Sequence, residues 1–260
     1  MNNINELKLH QNLLMQLFTC IDNTSLNSVD SKKSIERFCR KTIHFGDRFS
    51  NKLNVASVCV YPNYVALSKS LLYGSTVSVA SVAGAFPSSQ SPLSCRLNEI
   101  GYALESGADE IDTVISLGSF FDGEYDKVYD DLVAIRSLTR NKILKVILET
   151  GELKTSENIA KAADIAIASG ADFIKTSTGK ASVSATPEAV EVMLNSILQH
   201  YKNTGNMVGL KVAGGISTAE DAIQYALMAQ EKMGIEYINN QTFRIGTSRL
   251  TEKLFNILTE

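Results

Sequence analysis

Histidine is scarce in this chain, three in 260 residues, and the four cysteines lie far apart. Cys20, Cys39, Cys59 and Cys95 form no CxxC pair. His10, His44 and His200 stand in helical or flanking segments, where a packing or surface role is the simplest reading. The absence of HxH, HExxH and Cys/His clusters argues against a zinc-dependent reaction, so no metal is expected. Scattered thiols in a chain of this length are those of a reduced, cytoplasmic protein. No GxGxxG follows the first apolar run, which argues against a dinucleotide cofactor. An excess of basic charge is also lacking: 25 Lys and Arg face 28 Asp and Glu, for a net charge of -3, so nucleic acid is not an expected partner. Long hydrophobic runs are missing as well. The apolar patch at 13–21 is too short to span a bilayer, and residues 1–8 show no cationic leader, so no membrane partner is expected.

What remains is a composition suited to a packed core, with 44% apolar and 20% charged residues. Two textures alternate. Short, nearly continuous apolar runs at 17–22, 55–60, 76–82, 110–115, 143–149, 172–176, 208–212 and 243–246 read as strands buried on both faces. Between them lie segments with apolar residues every three to four positions, long enough for crossover helices. Thr186-Pro187 and Ser91-Pro92 each offer an N-cap followed by proline. The run from Ser217 to Glu220 matches a capping box. Gly107 and Gly170 end helices ahead of strands. No linker or low-complexity tract divides the chain. The expectation is an α/β protein: one (β/α)8 TIM barrel over residues 1–260, with a short N-terminal helix. A doubly wound open sheet is the alternative.

Charges interrupt these apolar strands. Asp22, Asp112 and Glu149 lie in or at the ends of three strands, and Lys145, Lys175 and Lys211 lie inside three, Lys145 on the strand that Glu149 ends. Burying such groups unpaired costs several kcal/mol. In a barrel, alternate strand residues point inward, and those near the carboxyl ends line the mouth. Structural ion pairs would explain any one lysine about as well as chemistry would. Three on separate strands favour a site.

A lysine in such a pocket suits imine chemistry, provided its amine is neutral. Lowering a pKa from about 10.4 to about 7 corresponds to about 4.6 kcal/mol. A second ammonium about 5 Å away, at an effective dielectric near 20, supplies about 3.3 kcal/mol. Partial desolvation can supply the rest. On this arithmetic Asp112 belongs nearer the depressing lysine or the substrate than the nucleophile, and either lysine could attack. Glycine-bearing segments follow the late strands: Thr178-Gly179-Lys180, Gly214-Gly215 and Gly246-Thr247-Ser248-Arg249. Such loops bring backbone N–H groups close to an anion, so a phosphorylated ligand is expected.

With these residues in place the sequence resembles the deoxyribose-phosphate aldolase family over almost its whole length. The resemblance is carried by Asp22-Asn23-Thr24-Ser25-Leu26, Val58-Cys59-Val60-Tyr61-Pro62, and Gly107-Ala108-Asp109-Glu110-Ile111-Asp112. It continues through the stretch from Leu144 to Leu153. The most specific matches are the stretch from Ala171 to Lys180 and the Gly209-Leu210-Lys211-Val212-Ala213-Gly214-Gly215-Ile216 run. The resemblance implies reversible cleavage of 2-deoxy-D-ribose 5-phosphate to D-glyceraldehyde 3-phosphate and acetaldehyde in deoxyribonucleotide catabolism, with no metal or organic cofactor. It implies that Lys175 forms the Schiff base, that Lys211 lowers its pKa, and that Asp112 acts as acid and base with Lys211. By the same resemblance Cys59 lines the acetaldehyde side, and Asp22, Thr24, Leu26 and Lys145 support the pocket. The phosphate falls to Thr178, Gly179, Lys180, Gly214, Gly215, Gly246, Ser248 and Arg249. A homodimer is the family-level expectation.

The chain departs from the family pattern in three places. Val212 stands where many members have proline after the lysine. Ser217 stands where the well-known bacterial form has a phosphate-loop arginine, and Arg249 follows the next loop, as though the guanidinium had moved. No tyrosine follows Tyr237, whereas those relatives end in a tyrosine that assists proton transfer, so other groups are expected to carry that proton or turnover to be slower. Two rival readings use the same barrel. A phosphosugar isomerase or epimerase would use Asp112 as base without a nucleophilic amine, and a binding protein would take the ligand without turnover.

Overall fold

The computed structural model describes residues 11–49 and 53–259. Within it eight parallel strands close into a barrel in sequence order. They are β1 (Ile21–Thr24), β2 (Ser57–Val60), β3 (Ser78–Val82), β4 (Glu110–Val114), β5 (Ile143–Ile147), β6 (Phe173–Lys175), β7 (Gly209–Ala213) and β8 (Phe243–Thr247). The barrel closes where β1 pairs with β8, Asp22 standing opposite Gly246. A helix, α1 (Gln11–Thr19), precedes the barrel. The main helices that follow the strands are α2 (Lys32–Arg48), α3 (Val65–Leu71), α4 (Leu93–Glu105), α6 (Tyr125–Thr139), α8 (Ser156–Ala168), α9 (Pro187–Thr204), α10 (Ala219–Met233) and α11 (Leu250–Thr259), with short α5 (Leu117–Phe121) and α7 (Thr150–Leu153) in the loops. This is the TIM barrel expected from the alternating textures. His10 and residues 1–8 lie outside the described residues.

Local boundaries differ in instructive ways. The first apolar run is not a strand from residue 17: Leu14, Leu17 and Phe18 are spaced at three to four, are buried together, and belong to α1. The strand starts at Ile21. Thr186 caps α9 as expected, accepting from the Ala189 N–H. Ser91 does not cap α4, because Pro92 takes the cap position with no side-chain bond. The capping box of α10 is shifted by one residue, Thr218 pairing with Asp221 rather than Ser217 with Glu220. Among the described residues no helix is long and apolar enough to cross a membrane.

The large apolar core lies between the barrel wall and the helices. Ile21, Val58, Val79, Ile111, Val146, Ile174, Leu210 and Ile245 point outward into it. The alternate residues, pointing inward, form two zones. One is small and apolar, made of Cys59, Ala80 and Val82 with Leu26 above. The other is charged. It holds Asp22, Glu110, Asp112, Lys145, Lys175, Lys211 and Arg244, all 3 % exposed or less. The period-two alternation that made the strands look fully apolar thus hides a charged interior behind an apolar exterior.

Candidate active site

The charged zone is one connected network. Asp112 Oδ2 accepts from both Lys175 Nζ and Lys211 Nζ at 2.7 Å, and its Oδ1 accepts from Lys145 Nζ at 2.9 Å. Lys145 also pairs with Glu110 and lies 3.5 Å from Asp22 Oδ2. Lys211 lies 2.5 Å from the same Asp22 oxygen. Arg244 closes the set beneath them, with Nη1 2.5 Å from Asp22 Oδ1 and Nη2 3.0 Å from Glu110 Oε1. The register produces this cluster: Asp112 faces Lys145, Lys175 faces Lys211, and Lys211 faces Arg244 on adjacent strands.

Counting charges singles out one lysine. Asp22, Glu110 and Asp112 supply three negative charges against Lys145, Lys175, Lys211 and Arg244. Lys145 and Lys211 each contact at least two carboxylates, whereas Lys175 has only the oxygen it shares with Lys211. Once Lys175 gives up its proton the buried set is neutral. The titration directions agree. Burial drives the Lys175 amine below the ordinary lysine value; Asp112 opposes this and Lys211 adds to it. For Lys211, burial works downward, but Asp112 and Asp22 outweigh it and hold the ammonium above its usual range. Lys145 is held higher by Asp112, Glu110 and Asp22 against burial. Burial would raise the Asp112 carboxyl, yet its three lysine neighbours hold it well below the usual carboxylate range. Asp112 therefore bridges the two lysines equally, where the pairwise arithmetic had favoured the side of the depressing lysine. The opposing pull of the carboxylate is met by the cation total.

Lys175 is also the member of the network that reaches open space. A cavity of about 320 Å³ at the carboxyl ends of the strands is lined by Lys175, Thr24, Leu26, the Thr178–Lys180 loop, residues 213–217 and residues 246–249. Of the residues expected in the pocket, Thr24, Leu26, Thr178, Gly179, Lys180, Gly214, Gly215, Gly246, Ser248 and Arg249 are on its wall. Asp22, Lys145, Lys211 and Asp112 lie beneath it, buried in the network, so Lys145 and Asp22 support the floor without forming the lining. Cys59, expected on the wall, is not among the residues lining the cavity: it is fully buried in the apolar zone, and burial pushes its thiol up to about 11, so it stays a neutral, apolar group at neutral pH.

The anion-facing loops are built from unusual backbone. Gly179, Gly214 and Gly215 all have positive φ. A Cβ on Gly214 would come within 2.4 Å of Ser184 Oγ and 3.4 Å of the Gly179 Cα, so glycine alone lets the two loops meet. Thr178 is tied to the residue behind it, its N–H (3.1 Å) and hydroxyl both donating to Glu149. Lys180 Nζ donates to the Leu26 carbonyl at 2.5 Å across the mouth. Thr247 joins the last two loops: its hydroxyl donates to Ile216 O at 2.9 Å and accepts from the Leu250 N–H, starting α11. Arg249 and Ser217 line the same cavity.

Several residues here had no role assigned from the sequence: Asn27, Ala213 and Ile216 on the wall, and Glu110 and Arg244 in the floor; Thr247 and Glu149, noted in an anion loop and at a strand end, take their places on the wall and behind the Thr178 loop. Glu110 had a readable signal, since Glu110 and Asp112 are two apart on one strand and share its face. Arg244 interrupts a strand just as the lysines do.

Comparison with known proteins gives one answer. The family model described as DeoC/LacD family aldolase matches residues 17–241. The deoxyribose-phosphate aldolase of Homo sapiens is 40% identical over 247 residues, covering 91% of this chain and 78% of its own. That of Agrobacterium fabrum is 38% identical over 242 residues, covering 92% and 88%. Among solved structures, QR15, an aldolase, aligns at 33% identity with a TM-score of 0.75 over 92% of this chain and 96% of that one. The Aeropyrum pernix deoxyribose phosphate aldolase, described as a unique tetrameric structure, aligns at 26% identity with a TM-score of 0.75 over 98% and 96%.

Proposed function

From the premise that the chain belongs to the DeoC/LacD family of aldolases, and is an enzyme that cleaves deoxyribose phosphate, we propose that Lys175 is its Schiff-base nucleophile. The observation that carries this reading is that Lys175 is the surplus cation of the buried network and opens on the cavity. The substrate is 2-deoxy-D-ribose 5-phosphate and the products are D-glyceraldehyde 3-phosphate and acetaldehyde. The setting is deoxyribose phosphate catabolism in the cytoplasm, by one catalytic barrel spanning residues 1–260.

The neutral Lys175 amine attacks the sugar aldehyde, and loss of water leaves a protonated imine. That imine draws the electron pair of the breaking carbon–carbon bond as a base removes the proton of the neighbouring hydroxyl. Glyceraldehyde 3-phosphate departs. The enamine left on Lys175 takes a proton at carbon, and water releases acetaldehyde. Asp112, ionised between Lys175 and Lys211, suits a relay in which Lys211 holds the proton between steps, with water reaching the substrate. Cys59, Leu26, Ala80 and Val82 give an apolar side for the two-carbon fragment. The loops bearing Gly179, Lys180, Gly214, Gly215, Gly246, Ser248 and Arg249 hold the phosphate, in part through backbone N–H groups.

The test is incubation with deoxyribose 5-phosphate and borohydride, followed by peptide mass mapping. A reduced adduct on the Lys175 peptide, absent in Lys175→Ala, is expected. Turnover without an adduct would move the chemistry to a base mechanism centred on Asp112. The assembly is read as a homodimer, which light scattering tests; a mass of four chains would replace that reading with the arrangement described for the Aeropyrum pernix relative.

A further inference from the structure

Arg244 touches no wall of the cavity, yet every carboxylate of the network except Asp112 is bound to it. Its place is built with care. Nε donates to Asn240 O at 2.5 Å, and the guanidinium lies 5.5 Å from the centre of the Phe173 ring. That ring occupies the space which a side chain at Gly209, the first residue of β7, would take: a Cβ there would stand 2.3 Å from it. The guanidinium is thereby fixed between β1 and β4, with Asp22 on one side and Glu110 on the other.

We propose that Arg244 is the positioning residue that sets the charge of the site: it supplies the fourth buried cation, and so makes Lys175 the one ammonium left without a carboxylate of its own. Without it, three carboxylates would face three lysines and the network would be neutral only with Lys175 protonated. The imine-forming amine is thus freed by a residue at the opposite end of the network, through the balance of the whole set. This inference rests on the reading of Lys175 as nucleophile.

The groups that face Lys175 and its partners come from around the barrel. They are Asp22 on β1, Cys59 on β2, Glu110 and Asp112 on β4, Lys145 on β5, Lys211 on β7 and Arg244 on β8, while β3 contributes the apolar Ala80 and Val82. Lys180 and Arg249 add cations at the mouth, and Glu149 is engaged with Thr178. Arg244 is held in its charged form by Asp22 and Glu110, which outweigh the effect of its burial, so it stays a cation across the working pH range. Protons leave such a cluster as a set, so the relevant quantity is the pH midpoint at which the set releases its most labile proton.

The experiment measures borohydride trapping of deoxyribose 5-phosphate against pH in the full chain and in four variants. Arg244→Gln is expected to move the midpoint upward by about one pH unit, the effect of a unit charge roughly 10 Å away at an effective dielectric near 20. Glu110→Gln, which removes an anion, is expected to move it downward. The double variant Glu110→Gln/Arg244→Gln restores the count and should return to the starting midpoint, and Arg244→Lys should stay near it. A merely structural arginine predicts instead that Arg244→Lys and Arg244→Gln behave alike and that the double variant is worse than either single one; that result, or an unmoved midpoint in Arg244→Gln, overturns the proposal. If Arg244→Gln does not fold, Glu110→Gln decides alone: a downward shift supports the charge count, and no shift overturns it. Loss of the adduct in the unmodified chain would instead overturn the Lys175 reading itself, and the charge role with it.

Discussion

Lys175 and Lys211 share a single oxygen, Oδ2 of Asp112, each at 2.7 Å, so their nitrogens are separated by at most twice that length. Two ammonium groups at that spacing repel by about 3 kcal/mol at an effective dielectric near 20. The carboxylate between them keeps one protonated at the expense of the other, and Asp22 decides which by lying 2.5 Å from Lys211. The pair is therefore a sorted one, with the proton kept on the buried lysine and removed from the lysine at the cavity.

Removing the sorted partner should return the proton to Lys175. In Lys211→Met the buried set balances only with Lys175 charged, so the pH at which imine forms should rise and trapping at pH 7 should fall by about two orders of magnitude. The sign follows from the direction: the Lys175 amine now sits below its ordinary value, and loss of a neighbouring cation raises it, leaving less free amine at a fixed pH. A pH profile of adduct formation checks this. An unchanged acid limb would show that burial alone lowers Lys175.

Arg249 lines the cavity beside Ser217 and the two glycine loops. If the guanidinium has moved from one phosphate loop to the next, Arg249→Ala should raise KM for deoxyribose 5-phosphate by about 10- to 100-fold, the range of a charge-assisted hydrogen bond, and leave the reaction of unphosphorylated deoxyribose nearly untouched. Steady-state kinetics on both sugars make the comparison. Equal losses on the two would assign Arg249 to the structure of the α11 start instead.

The barrel was legible because strands walled on both faces read as near-continuous apolar runs, separated by helix-length segments. Its first strand starts later than the pattern suggests because Leu17 and Phe18 suit a helix end as well as a strand, and only packing of Leu14, Leu17 and Phe18 in the core separates the two. Lys175, Lys211 and Asp112 stood out as charges inside such runs. What stayed hidden was the sum. Pairwise reasoning weighs one lysine against one neighbour, whereas the outcome depends on seven groups from six strands, and on the β1–β8 closure that joins Asp22 to Arg244 across 222 positions. Glu149 stood out as a charge at a strand end, but its conformation did not, since no local pattern announces a non-glycine residue with φ of 57°.

The same network makes stability fall in acid. Asp22 and Asp112 are buried, yet their cationic neighbours outweigh the burial and hold both carboxyls far below the unfolded value of about 3.9. The unfolded chain therefore binds more protons than the folded one in acid. Their contribution is present above about pH 4 and is lost progressively as the pH falls toward their folded values. Urea unfolding between pH 3 and pH 7 should show stability dropping steeply below about pH 4. Asp22→Asn should lower stability at pH 7 by about 3–5 kcal/mol, because it unpairs Arg244 and Lys211, and should flatten the acid slope. A variant with an unaltered slope would mean that Asp22 titrates alike in both states.

Glu149 carries the backbone strain of the site. It ends the β5 segment in the left-handed region, with φ 57° and ψ 61°, a conformation that costs a non-glycine residue about 1–3 kcal/mol. What holds it there is its carboxylate, which takes both the N–H and the hydroxyl of Thr178 and so seats the loop carrying Gly179 and Lys180. Two substitutions separate strain from function. Glu149→Gly relieves the backbone but deletes the acceptor, and Glu149→Gln keeps the side-chain shape while removing the charge. If the strain is retained for the loop, both should raise KM for the phosphorylated sugar by about tenfold, since a charge-assisted bond contributes about 1.5–3 kcal/mol, and Glu149→Gly should gain no melting temperature despite its easier backbone. A glycine variant that melts higher and binds substrate as before would reduce Glu149 to a strained turn with no part in holding the anion.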